Sequence, residues 1–170
     1  ATAHRSPTRL RTPTSGAWCI GILKSSNVLI TPEGRAKVLD FGLAKRLREV
    51  EVAEVTRTVG SRSEAGMIVG TLAYMAPELL RGSAANARSD IWVLGVVLYE
   101  AASGSRPFPG QTSFEVSSAI LREPAAMRPQ VPAALRVIAQ RCLAKEPGQR
   151  YQRAGEVRAA LEAIQPEAFA

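Results

Sequence analysis

The chain has 170 residues, enough for one globular unit with a real core and too few for two domains of ordinary size. Its 22 basic and 15 acidic side chains give a net charge of +7, and Arg5, Arg9 and Arg11 contribute three of these charges in an acid-free stretch, residues 1–22. The other 19 basic groups are scattered among the 15 acids with few aromatics between them, which argues against a nucleic-acid partner, because such proteins gather their basic residues on one face.

Residues 1–16 are rich in Ser, Thr, Pro and Arg without apolar periodicity and read as disordered; they contain no apolar stretch of the signal-peptide kind. Two extended runs follow, Asn27 to Ile30 and Ala36 to Leu39, joined by the tight turn Thr31-Pro32-Glu33-Gly34. From Ala44 to Gly70 the chain is polar and aperiodic, the pattern of a long functional loop. Ala87 to Ser103 is apolar on nearly every face and predicts a helix buried all round. Thr112-Ser113-Phe114-Glu115 is a capping box opening a helix to about Leu121. Helical spacing recurs at Leu135, Ile138, Ala139, Cys142 and Leu143, and again at Val157, Ala160, Leu161 and Ile164. The fold class expected is mainly α with one small β-hairpin. Cys19 and Cys142 make neither a disulfide framework nor a metal spacing, so a reducing, cytoplasmic setting fits. The most apolar run, Ile91 to Ala102, is too short to span a bilayer and contains Glu100, so no membrane segment is expected in this chain; an anchor elsewhere stays open.

Five motifs carry chemistry by their order. Leu23-Lys24-Ser25-Ser26-Asn27 precedes the first strand, and Asp40-Phe41-Gly42 follows the second, with Asp40 13 residues after Asn27. Gly70-Thr71-Leu72-Ala73-Tyr74-Met75-Ala76-Pro77-Glu78 comes next, its glutamate 38 residues after Asp40. Ser89-Asp90-Ile91-Trp92 and finally Arg150, in Lys145-Glu146-Pro147-Gly148-Gln149-Arg150, complete the set. Each alone has a plain structural reading: a turn Asp, an Asx-turn Asn, a solvated Lys, a helix N-terminal Asp, two unrelated surface charges. In this order, over about residues 23–164, they resemble the eukaryotic-like serine/threonine protein kinases, in their bacterial (Hanks-type) style.

The resemblance implies ATP-dependent transfer of a phosphoryl group to Ser or Thr of protein substrates, with Mg2+. It makes Asn27 and Asp40 the two metal ligands, since hard cations take oxygen donors, and Lys24 a point charge on the moving phosphate. It makes the long loop an activation segment, with Thr56 and Thr58 (and Ser61 and Ser63) as candidate phosphorylation sites. Thr71 belongs to the serine/threonine pattern, Glu78 pairs with Arg150, and Asp90 aligns the catalytic-loop backbone.

One position departs from the family. Its catalytic loop reads His-Arg-Asp-Leu-Lys-x-x-Asn, and the first three places are Ile20, Gly21 and Ile22 here. Ile22 has no lone pair and cannot serve as general base. A displaced reading frame accounts for this. The run Tyr-Ala-His-Gln-Arg-Gly-Val-Val-His-Arg-Asp, typical of the family, can be encoded so that reading from the second base gives Thr12 to Gly21 and then AT, which with one extra base encodes Ile22 and restores the frame at Leu23. The codons were chosen to fit, and a true pseudokinase is the competing explanation. The glycine-rich loop and the Lys–Glu pair of the family's N-lobe are also missing from the 170 residues.

The expectation is therefore a partial kinase C-lobe without its N-lobe: residues 1–22 disordered or frame-displaced, 23–164 kinase, 165–170 a tail. The chain is expected to be inactive, poor at binding ATP, and marginally stable, because the helix that normally covers Ile91 to Ala102 is absent. The alternative is a non-catalytic pseudokinase scaffold.

Overall fold

The long apolar run decides where the core lies. In the computed structural model, whose described residues are 24–39 and 70–164, it forms a helix over Ala87–Ser103. Ile20, Gly21, Ile22, Asp40, Thr56, Thr58, Ser61, Ser63, most of the long loop and both terminal segments lie outside the described residues. Five α-helices are described: α1 (Pro77–Leu80), α2 (Ala87–Ser103), α3 (Ser113–Arg122), α4 (Ala133–Cys142) and α5 (Ala154–Glu162). A two-stranded sheet, β1 (Val28–Ile30) and β2 (Ala36–Val38), precedes them. The described structure is mostly helical with one small antiparallel sheet.

Local chemistry sets the ends of α2. Asn86 accepts from the Arg88 amide at 2.9 Å, while Ser89 Oγ accepts from the Asn86 amide at 3.3 Å, a reciprocal cap. Gly104, at φ 67°, takes the left-handed conformation that closes the helix, and its N–H donates to Glu100 O at 2.8 Å. Between these ends Ile91, Trp92, Val93, Val96, Val97 and Tyr99 are all buried.

This helix is not left wet. Its buried residues are covered from two sides: Trp92, Val93, Val96 and Val97 join Leu72, Tyr74, Phe108, Val116 and Ile120 in one cluster. Ile91 packs with Ile138, Cys142, Tyr151 and Val157 in another. The expected exposure is thus confined to the half-buried Leu94 and Leu98 and the exposed Ala101, residues spaced along one stripe of α2.

Helix α2 packs tightly on the end of α4 at Gly95. A Cβ placed there would meet Cys142 Cβ at 2.5 Å and Leu143 Cγ at 3.2 Å. Alanine would gain about 1 kcal/mol of helix propensity, but the obstructing atom is next to the backbone and the helices would have to part. Gly95→Ala is expected to lose about 1–3 kcal/mol net, read as a lowered urea midpoint with an unchanged slope.

The hairpin pairs Val28 with Val38, Leu29 with Lys37 and Ile30 with Ala36. Gly34, at φ 75°, supplies the turn and donates to Thr31 O at 2.9 Å. Val28 and Val38 pack on the main cluster, whereas Leu29 and Leu39 stay about half exposed, at 49% and 50%. Two details differ from the sequence pattern. Asn27 leaves the strand for a 3-10 turn over Ser25–Asn27. Thr112 does cap α3 through the Glu115 amide at 3.1 Å, but the Glu115 carboxylate reaches Gln111 N rather than Thr112 N. Among the described residues no helix is long and apolar enough to cross a membrane.

Candidate active site and its anchor

The turn that carries Lys24 and Asn27 is held by its own backbone. Asn27 N donates to Lys24 O at 2.9 Å, Val28 N donates to Ser25 O, and Leu39 N donates to Asn27 O at 2.7 Å. Asn27 is therefore fixed by main-chain bonds at both its N–H and its C=O, and no hydrogen bond with another described residue occupies its side-chain amide. The turn rests on α2, and the valines that follow it anchor the hairpin in the core.

Tyr74 stands between this turn and α2. Its hydroxyl donates to Glu100 Oε2 at 2.5 Å and lies 2.9 Å from Ser25 Oγ. Burial raises the pKa of its hydroxyl above the ordinary phenol value, and the Glu100 carboxylate raises it further. Arg106 approaches Glu100 Oε1 at 3.8 Å and lies over the Tyr74 ring, 5.7 Å from its centre. Thr71 is buried just before this residue, and its carbonyl accepts from Tyr74 N at 3.1 Å.

A second constellation centres on Arg150, whose guanidinium lies 5.1 Å from the Trp92 ring. Glu78, in the first turn of α1, meets Arg150 through two parallel bonds, Nη1 to Oε1 at 2.9 Å and Nη2 to Oε2 at 2.7 Å. Ser89 Oγ donates to Glu78 Oε1 at 2.9 Å. The rest of the guanidinium is used as well: Nε donates to Ala144 O, Nη1 to Arg88 O and Nη2 to Lys145 O, at 2.8, 2.9 and 3.1 Å. Burial pushes the Glu78 carboxyl up, but the hydrogen bonds and charge of Arg150, with Ser89 and the Glu78 backbone, outweigh it and hold it below the usual carboxylate range. Asp90 sits in the first turn of α2, its N–H on Asn86 O at 3.3 Å. Glu78, Ser89 and Arg150 are thus brought together, while Lys24 and Asn27 form a separate group at the hairpin.

Lys145 opens the motif that carries Arg150, but the motif gave it no role. Its ammonium donates to Ile120 O at 2.6 Å and Ala119 O at 3.4 Å, near the C-terminal end of α3. It also faces Phe108 at 4.0 Å and Trp92 at 5.2 Å. Burial lowers its pKa to about 8, against a raising effect of Glu123 and with lowering effects of Arg150 and Arg81. Between about pH 8 and the ordinary lysine value near 10.4, the unfolded chain holds a proton that the folded chain has released. Stability should therefore rise with pH across that window. Lys145→Met is expected to flatten this rise in urea midpoints measured from pH 7.5 to 10.5.

The motif order, the turn bearing Asn27 and the Glu78–Arg150 anchor all lie within one stretch, and the protein kinase domain family matches residues 23–163. The chain belongs to the protein kinase family. The kinase chain is 40% identical over 143 residues to the serine/threonine-protein kinase PknA of Mycobacterium tuberculosis (strain ATCC 25618 / H37Rv), covering 84% of this chain and 31% of that protein. It is 38% identical to the PknA serine/threonine-protein kinases of Corynebacterium glutamicum, over 84% of this chain and 28% of that protein. PknB of M. tuberculosis (strain CDC 1551 / Oshkosh) is 35% identical, over 82% of this chain and 22% of that protein. These relatives make the kinase chain one of the bacterial Hanks-type serine/threonine branch. It spans under a third of the length of each of them.

Proposed function

We propose that the chain is the metal-binding and segment-anchoring part of an enzyme that transfers the γ-phosphate of ATP to Ser or Thr of protein substrates. Asn27 and Asp40 are the Mg2+ ligands in this reading, and Lys24 steadies the transferred phosphate. The donor set suits the metal: an amide oxygen on a backbone-locked turn and a carboxylate are both hard ligands. Bound Mg2+ would neutralise charge on the phosphate oxygens. Lys24 and Asn27 share one turn, and this local order is the observation that carries the assignment. Thr56 and Thr58 are proposed as phosphate acceptors of the activation segment, Thr71 as part of its serine/threonine pattern. Asp90 is proposed to align the catalytic-loop backbone, and the Glu78–Arg150 pair to tie the segment to the helical base.

The chain is proposed to be a C-lobe portion, cytoplasmic, with residues 1–22 frame-displaced and 165–170 a tail. With isoleucine at the base position, a factor of about 10²–10⁴ in rate is forgone even where substrates bind. A phosphotransfer assay with labelled ATP and a Ser/Thr protein acceptor should show no transfer. Transfer that an Asp40→Ala variant abolishes would overturn the inactivity and keep the kinase assignment. Resequencing the DNA across codons 1–30 tests the frame shift, and an uninterrupted frame with clean reads would sink a reading error as its origin.

Ile22 also favours a second reading, a scaffold that binds a partner without catalysis. That reading needs a cooperative melting transition of the isolated chain and partner binding unaffected by nucleotide. A non-cooperative melt removes it.

A further inference from the structure

The Ser25–Tyr74–Glu100 contacts have a direction that can be worked out. A carboxylate accepts hydrogen bonds and donates none. Tyr74 has one hydroxyl proton, and the 2.5 Å contact commits it to Glu100 Oε2. The 2.9 Å contact between Ser25 Oγ and the Tyr74 oxygen therefore has Ser25 as its donor. The chain runs from Ser25 to Tyr74 to Glu100, and Arg106 sits on the far carboxylate oxygen at 3.8 Å.

Its position gives it consequence. Ser25 opens the 3-10 turn that presents Lys24 and Asn27, and its carbonyl receives the Val28 amide. Among the described residues, the turn's backbone bonds close it on itself and on Leu39, just past β2, and none of them reaches the helical body. Tyr74 is only 4% exposed and packed in the main core cluster, so its hydroxyl is a fixed point. Glu100 lies near the C-terminal end of α2, so the chain of bonds fastens the turn to the central helix.

We infer that Ser25 and Tyr74 are positioning residues that hold the Lys24–Asn27 turn at a set distance from α2 through the ordered chain to Glu100. This role for the site rests on the reading of Lys24 and Asn27 as phosphate and metal groups. The fastening of the turn does not rest on it.

The test uses the full chain and two readouts, amide hydrogen exchange at Asn27 and Val28 and titration with Mg·ATP. Ser25→Ala and Tyr74→Phe should each speed exchange at these two amides by about 5- to 10-fold, the scale of one lost hydrogen bond. Exchange in the core of α2 should not change. Ser25→Thr keeps the hydroxyl and should restore the slow exchange. Ser25→Ala should also weaken Mg·ATP binding by about 3- to 10-fold, on the same scale, with Thr again restoring it. Unchanged exchange in both removal variants, or no rescue by Thr, overturns the inference. If exchange responds as expected but wild type binds no Mg·ATP, as expected of a chain without the N-lobe's grip on ATP, the fastening stands and its consequence for nucleotide binding falls.

Discussion

Arg150→Ala is expected to destabilise the fold by about 3–5 kcal/mol, the usual cost of removing one partner of a buried ion pair. The guanidinium is fully buried and satisfies five acceptor contacts: two on Glu78 and one each on the Ala144, Arg88 and Lys145 carbonyls. Truncation leaves a buried carboxylate with only Ser89 from this group, and it leaves three carbonyls without their donor. Arg150→Lys should not rescue the fold, because an ammonium cannot form the two parallel bonds and also reach the carbonyls. Replacing both partners, Glu78→Leu with Arg150→Met, should cost less than Arg150→Ala alone, since no unpaired charge remains. The pH dependence has a definite sign. The folded-state Glu78 carboxyl is held below its ordinary value, so the stability it confers is present above the unfolded value and is lost as pH falls through the folded one. Urea denaturation at pH 7 and pH 4, wild type against Arg150→Ala, measures both effects. A loss under 1 kcal/mol at pH 7 would show that the pair is an ornament of a core stable without it.

The parts of this architecture legible in the sequence are those set by neighbours in the chain. Helix α2 was readable to both ends, Ala87 and Ser103, because its residues are apolar on nearly every face with only Glu100 interrupting the run from Ile91 to Ala102. The hairpin was readable because Pro32 and Gly34 punctuate two β-prone runs, and Gly34 does take the positive φ that the turn needs. Short elements were legible only in part: the chain reads as turning helical after Pro77, but the four residues of α1 have no periodicity to bound them, and Asn27, the last residue of the 3-10 turn, reads as the start of a strand. The site divides the same way. Lys24, Asn27, Glu78, Asp90 and Arg150 stood out through motif spacing. Ser25, Tyr74 and Glu100 did not, because their bonds join positions 49 and 26 residues apart and no local pattern encodes them. Lys145 was hidden for a similar reason. It stands in a motif as an ordinary cation, and only packing sets it over Phe108 and under the last carbonyls of α3.

Trp92→Ala should match the arginine variant in size, at about 3–5 kcal/mol, through a different mechanism. Trp92 is fully buried and stacks on Phe108 with ring centres 5.3 Å apart and planes 4° from parallel. The pair forms the floor on which two cations rest, Arg150 at 5.1 Å and Lys145 at 5.2 Å from the Trp92 ring. Removing the indole opens a cavity under both cations and withdraws cation–π attraction, worth about 0.5–2 kcal/mol for each. Trp92→Phe keeps a ring over this floor and should recover more than half of the loss. The shared cation makes the two large effects non-additive. With Arg150 already gone, one of the groups that Trp92 supports is absent, so the double variant should fall short of the sum by about 0.5–3 kcal/mol. A domain of this size has only about 5–15 kcal/mol in total, so the cycle is best run with Arg150→Ala and the milder Trp92→Phe, which keeps a smaller ring under the cations and should give the lower end of that coupling. Strict additivity in that cycle would mean that the aromatic floor and the ion pair stabilise the helical body independently. A coupling of the predicted size would make them one unit, joining α1, α2 and the loop after α4 around a single arginine.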